Sequence, residues 1–219
     1  MDQPTAAHIL LVAIRLTPQR RPLMETRSPT VSNERNTRMD EPSENVAVIT
    51  GAASGLGLAL AHKCAARNMS VALLDLDQER AVDEAGQLAS VGATSVGIGV
   101  DVGDAESVQA AADAVAGRFG RADLVISNVG VQLFGAVERL TDAEWAWVLD
   151  LNVIGSARVA RAFLPLLRRS AGPHLAFTTS SSVLDPAARL GVYQASKYAV
   201  WGLAETLRLE LAAEGIPSR

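Results

Sequence analysis

The sequence predicts an α/β fold, a doubly wound parallel sheet with helices on both faces. Three observations carry this. From Asn45 onward, short apolar runs rich in β-branched residues alternate with segments of helical composition. The runs are apolar throughout, as strands buried on both faces require. The first run leads directly into "TGAASGLG" (50–57), with three glycines in eight residues ahead of a helical segment.

The elements follow in order. "VAVIT" (46–50) is the first strand, and "LGLALAHKCAARN" (56–68) has the composition of a helix. "SVALLD" (70–75) is the second strand, and "QERAVDEAGQLASVG" (78–92) is a helix with Gly92 placed to end it. "TSVGIGVDV" (94–102) is the third strand, followed by a helix on which Val108, Ala112, Val115 and Phe119 recur at helical spacing. "ADLVISN" (122–128) is the fourth strand. Thr141 and Glu144 then form a capping box opening a long helix to about Arg169. "HLAFTTS" (174–180) is the fifth strand, and a last helix carries the stripe Val200, Leu203, Leu207 and Leu211. There is no repeat and no internal linker, so residues 45–219 read as one domain.

Residues 1–44 differ. They hold prolines at 4, 18, 22, 29 and 42, and six arginines balanced by six acids, without sustained periodicity. The segment reads as a disordered N-terminal extension. Its one apolar stretch, "AAHILLVAI", is too short to cross a bilayer and is preceded by Asp2 with no Lys or Arg, unlike a signal peptide. Arg15, Arg20 and Arg21 hint at a transit peptide, against which Asp2 and Glu25 count. Met39 opens "MDEPSENVAVITG", a natural alternative start for the folded domain.

Composition excludes several function classes. The chain is 48% hydrophobic and 20% charged, an ordinary soluble balance. A net charge of −4 with no basic block argues against nucleic acid, and no run suits a membrane. A single cysteine, Cys64, excludes an internal disulfide and fits a reducing, cytoplasmic setting. Within a helix it reads as buried filler. His8, His62 and His174 are scattered, none at metal-ligand spacing beside an acid, so no metal site is predicted.

The glycines have a chemical reason. In a Rossmann-like sheet, ligands bind beyond the carboxyl ends of the strands, where this turn lies. Gly51 permits the tight turn, while Gly55 and Gly57 let a pyrophosphate reach the helix N-terminus, with Ser54 and Leu56 between and beside them. Asp75 ends the second strand 18 residues past Gly57. An acid there accepts hydrogen bonds from ribose hydroxyls and repels a 2′-phosphate. Neither Leu76 nor Ser54 offers a cation, so NAD is favoured over NADP.

Further on, "VYQASKYAV" sets Tyr193 and Lys197 four apart, on one helix face. A tyrosine of ordinary pKa, about 10, is a poor base, and a neighbouring ammonium favours the phenolate. Y-x-x-x-K is common by itself and usually means surface packing. After a dinucleotide turn and a serine-rich strand end it reads as chemistry.

Taken together these segments resemble the short-chain dehydrogenase/reductase family, from about Val46 to Ile216. The family's T-G-x-x-x-G-x-G stands as Thr50 to Gly57, its acidic strand end as Asp75, and its adenine-contacting D-V pair as Asp101 and Val102. N-N-A-G appears as "SNVG", which keeps Asn128 and Gly130 but substitutes Ser127 and Val129. The helix asparagine matches Asn152, and the Y-x-x-x-K pair matches Tyr193 and Lys197. The resemblance places the catalytic serine 13 residues before the tyrosine, at Ser180, with Ser181 as the alternative in "TTSSSV".

What the resemblance implies is hydride transfer between NAD and a secondary alcohol or ketone. Ser180 would hold the substrate oxygen and Tyr193 would be the acid/base. Lys197 would bind the nicotinamide ribose and lower the tyrosine pKa, and Asn152 would anchor a water beside Lys197. A homodimer or homotetramer is the implied assembly. The alternative is a dinucleotide-binding sensor or scaffold without turnover. The family continues past this helix into further strands, a P-G turn and a substrate-covering segment. "AAEGIPSR" cannot supply them, so the domain reads as C-terminally incomplete, its last strands missing and an open sheet edge left behind.

Overall fold

Aliphatic strands too apolar for water set the architecture. A computed structural model of the chain describes residues 11–15 and 45–213. It contains β1 (Leu11–Arg15), β2 (Val46–Thr50), β3 (Ser70–Asp75), β4 (Ser95–Gly99), β5 (Leu124–Ser127) and β6 (His174–Thr178). The sheet order is β1-β6-β5-β2-β3-β4. Strands β2 to β6 are parallel, with Val48 level with Ala72 on one side and Val125 on the other. The chain winds outward from β2 through β3 to β4, then returns to the other side of β2 for β5 and β6. Between β2 and β5 the winding reverses, and a crevice opens beyond the strand ends.

Alternate strand residues face opposite layers. Ala47, Ile49, Val71 and Leu73 pack under α1 (Gly55–Ala65) and α2 (Gln78–Ser90), against Ala61, Cys64, Ala85 and Leu88. Val48, Leu74, Val125 and Phe177 face the other way. They meet Val108 and Val115 of α3 (Ala105–Phe119), Phe163 and Leu167 of α5 (Gly155–Leu167), and Val200 and Leu211 of α6 (Gly191–Ala213). Each fully buried side chain of this size stabilises the fold by about 1.5–3 kcal/mol before entropy is counted. Cys64 is buried, and burial pushes its thiol pKa up, which leaves it unreactive.

Three strands are shorter than the sequence suggests. Residues 100–102, 128 and 179–180 continue the apolar or polar runs but leave the sheet to line or support the crevice. The long helix from Thr141 is interrupted: α4 (Asp142–Leu149) meets α5 through a π-turn at Asp150–Ile154. The capping box at Thr141 and Glu144 is formed in both directions. Gly92 lies one residue past the Val91 cap with φ +92°, the left-handed position that ends α2. Trp147 on α4 is 47% exposed.

Within residues 1–44, most of which reads as lacking regular structure, the apolar stretch contributes a strand: Leu11–Arg15 run antiparallel to β6, with Leu11 opposite Thr178 and Arg15 opposite His174. A sheet edge presents a row of unpaired N–H and C=O groups, and a short apolar segment of the same chain satisfies them. The edge of β6, expected to be open, is thus covered. The rest of the extension, including Met39, and the end of the chain from Glu214 lie outside the described residues. Among the described residues, no helix is long and apolar enough to cross a membrane, and no group of three His, Cys, Asp or Glu could hold a metal ion.

Removing residues 1–15 is expected to speed amide exchange at alternate positions of β6 and to lower stability by roughly 1–3 kcal/mol. Exchange of the His174–Thr178 amides, compared between full-length and shortened chains, checks this. Equal protection in both would rule out the pairing.

Candidate active site

A cleft of about 450 Å³ opens at the carboxyl ends of β2, β3, β5 and β6. The glycine turn forms its floor. Gly51 and Gly55 hold φ +65° and +53°, left-handed conformations that a side chain resists. A Cβ on Gly57 would stand 2.0 Å from the Gly51 carbonyl oxygen, so helix and turn touch backbone to backbone there. A Cβ on Gly55 would meet nothing within 4 Å, which leaves the turn bare toward the cleft. The N-terminus of α1 is also bare: Ser54 makes no capping hydrogen bond and the first turn carries no acid. Its N–H groups and dipole are therefore free to receive an anion, and a pyrophosphate fits this floor.

Asp75, Leu76, Asp101 and Val102 make the far rim. Asp75 Oδ2 accepts the Ala53 N–H at 2.9 Å and Oδ1 the Asp77 N–H at 3.2 Å, so the carboxylate is oriented by the turn it faces. Asp101 Oδ1 accepts the Gly103 N–H at 2.7 Å. Val102 is buried against Gly155, and its carbonyl accepts from Arg158 at 3.1 Å.

Asn128 stands between the strand ends. Its N–H donates to Thr50 Oγ1 at 2.9 Å, its Nδ2 to the Thr50 carbonyl at 3.2 Å, and its Oδ1 accepts from Thr178 Oγ1 at 3.0 Å. Thr50 and Thr178 therefore belong to the site's framework and Thr179 lines the cleft, and sequence reasoning gave none of the three a role. Their signal was position alone, a hydroxyl at each strand end.

On the near side, Tyr193 and Lys197 both line the cleft. Lys197 is 3% exposed, its Nζ donates to the Thr178 carbonyl at 2.9 Å, and it stands 5.6 Å from the Tyr193 ring centroid. Burial lowers its pKa from 10.5 to about 8. Asn152, held in the π-turn, is buried beneath. Its Oδ1 accepts the Val131 N–H at 2.7 Å, and its Nδ2 donates to the Val131 carbonyl and to Ser196 Oγ, both at 2.9 Å. A Cβ on Gly130 would stand 2.9 Å from Lys197 Nζ, so a side chain there would displace the ammonium. Ser180 is 2% exposed and does not line the cleft. It caps the 3-10 turn Ser181–Val183, its Oγ accepting the Ser182 N–H at 3.2 Å.

The structure therefore brings the glycine turn, Asp75, Asp101, Val102, Asn128, Tyr193 and Lys197 to one cleft, with Asn152 and Ser180 buried nearby in the chain segments that frame it. A second cavity of about 420 Å³ lies at the opposite ends of α1 and α2, beside His62, Met69 and Thr94, and gathers none of these residues.

The depressed pKa of Lys197 has a stability consequence. Below about 8 the lysine is charged in both folded and unfolded chains, and the burial cost is present in full. Between about 8 and 10.5 the folded chain has lost the proton that the unfolded chain keeps, so stability rises with pH. Wild-type protein is expected to gain stability relative to Lys197→Met over that window, by an amount on the order of a few kcal/mol. Denaturant titrations of both at several pH values check the slope, and parallel curves would contradict it.

Residues 45–217 match the family model described as short chain dehydrogenase. D-threitol dehydrogenase of Mycolicibacterium smegmatis is 34% identical over 171 residues, covering 78% of this chain and 66% of that protein. A short-chain dehydrogenase/reductase from Burkholderia phymatum, solved in complex with NAD, is 38% identical with TM-score 0.75 and covers 78% of this chain and 62% of that one. An alcohol dehydrogenase from Thermococcus sibiricus, complexed with 5-hydroxy-NADP, is 32% identical with TM-score 0.73, covering 77% and 72%. The chain thus spans just under two thirds of the first two relatives' length. By family model, sequence identity and shared α/β architecture, this chain belongs to the short-chain dehydrogenase family.

Proposed function

We propose that the protein is an NAD-dependent oxidoreductase acting on a secondary alcohol or its ketone. The observation that carries this is the buried Lys197 ammonium beside the Tyr193 ring, in the same cleft as the bare glycine turn. Gly51, Ser54, Gly55, Leu56 and Gly57 would hold the pyrophosphate, and Asp75 the adenine ribose. Asp101 and Val102 would border the adenine, with Asn128 fixing the floor. When bound, the dinucleotide supplies acceptance or donation of a hydride.

The chain's own residues manage the proton. Tyr193 Oη would take it from the substrate hydroxyl in oxidation and return it to the ketone oxygen in reduction. Lys197 favours the phenolate by its charge, because a cation near the ring lowers the cost of ionising it. Ser180 Oγ would hydrogen-bond the substrate oxygen by turning toward the cleft from the Ser182 N–H that it accepts in this structure. Asn152, whose carboxamide is engaged by Val131 and Ser196 and whose backbone carbonyl accepts Ser156 Oγ–H at 2.7 Å, would anchor a water beside Lys197. NAD over NADP rests on Asp75, which offers acceptors to ribose hydroxyls and repels a phosphate. Exposed Trp147 and Tyr198, on α4 and α6, would pack in a homodimer or homotetramer. A cytoplasmic location fits the single unpaired cysteine.

A panel of secondary alcohols, with NADH formation followed spectroscopically, tests the activity. Tyr193→Phe is expected to lower turnover roughly 10²–10⁴-fold while NADH titration gives an unchanged affinity. A fully active variant would remove Tyr193 from its role. Wild-type protein should bind NAD more tightly than NADP in direct titration, with Asp75→Ala narrowing the gap. Tighter NADP binding by the wild type would overturn the reading of Asp75.

A further inference from the structure

Ser196 sits between the two reacting side chains of the Y-x-x-x-K segment, has 0% exposure, and has no part in the chemistry above. Its hydroxyl has one proton, which it donates to the Tyr193 carbonyl at 2.6 Å. With that proton engaged, Ser196 Oγ can face Asn152 only as an acceptor, and it takes the Asn152 Nδ2–H at 2.9 Å. This decides which way the carboxamide points. Nδ2 lies on Ser196 and on the Val131 carbonyl, and Oδ1 turns to the Val131 N–H at 2.7 Å. The flipped amide would set donor against donor at Val131 and acceptor against acceptor at Ser196. Ser196 is fully buried, so the second pair has no water to turn to, while Val131 stands on the cleft wall.

Val131 follows Gly130, whose missing Cβ leaves the space that Lys197 Nζ occupies. Asn152 holds that loop, and Ser196 holds Asn152.

We propose that Ser196 is a positioning residue that fixes the Asn152 carboxamide, and through it the 129–131 loop against Lys197. Its effect on rate rests on the oxidoreductase reading, whereas its effect on the loop does not.

The test compares wild type, Ser196→Ala, Asn152→Ala and the double variant by amide exchange at Val131 and by the pH profile of turnover. Ser196→Ala is expected to speed Val131 exchange at least tenfold and to shift the pH profile. In the Asn152→Ala background it should change neither further. A Val131 amide as protected in folded Ser196→Ala as in wild type, or effects that simply add in the double variant, would overturn the proposal. If Ser196→Ala does not fold, Ser196→Cys keeps the volume with a weaker donor and acceptor. It should speed Val131 exchange a few-fold, and unchanged exchange would overturn the proposal equally. Because exchange needs no turnover, a wild-type chain inactive on every alcohol would overturn the oxidoreductase reading while Val131 still decides on Ser196.

Discussion

The cleft depends on three parallel strand ends being held level, and the Asn128 amides hold them. Through Thr50 and Thr178 they tie the ends of β2, β5 and β6. Lys197 then takes the Thr178 carbonyl, so the position of the buried ammonium is inherited from that tie. A slip of one residue in β5 would reverse which side chains face each layer and carry Asn128 away from both threonines. A polar side chain at this junction is worth more than its own hydrogen bonds, since α1, the glycine floor and the lysine all take their places from it.

The opposite end of the sheet is pinned in the same way. Asp123 is 8% exposed, and its Oδ2 accepts the Val46 N–H at 2.7 Å and Arg121 Nε at 3.1 Å. Its Oδ1 accepts Ser170 Oγ. A buried carboxylate without such partners would be costly; paired, it fixes where β2 and β5 begin. With the strands anchored at both ends, the cleft residues are mounted on rigid elements, and their loops add only short excursions.

Much of this was legible in the sequence, for definite reasons. The five parallel strands and their helices announce themselves because full burial leaves continuous apolar runs such as "VAVIT". The glycine turn was legible because Gly57 admits no Cβ, a requirement that only one residue type meets. The π-turn carrying Asn152 was not, since it inserts into a helix without changing its composition. Nor was β1: five residues in a polar, proline-rich segment carry a weak local signal, and their pairing is decided by a strand edge far along the chain, at His174–Thr178. Ser196 and Thr178 escaped notice because serine and threonine are ordinary anywhere. Their meaning comes from what stands within hydrogen-bonding distance.

The distribution of charge gives the cleft its direction. Lys197 is buried with no carboxylate in ion-pair range among the described residues, and burial alone moves its pKa. The uncapped N-terminus of α1 adds partial positive charge at the floor. The carboxylates of the cleft, Asp75 and Asp101, sit at the far rim, each held by backbone N–H groups. A ligand matched to this layout is anionic at the floor and bears hydroxyls at both ends, one near the acids and one near the lysine. A ligand that was anionic at the rim would meet Asp75 and Asp101, while one neutral throughout would leave the N–H groups at the start of α1 without an anion. Fold and charge thus point the same way: the strand ends shape the cleft, and its positive floor and acidic rim lie at different ends of it.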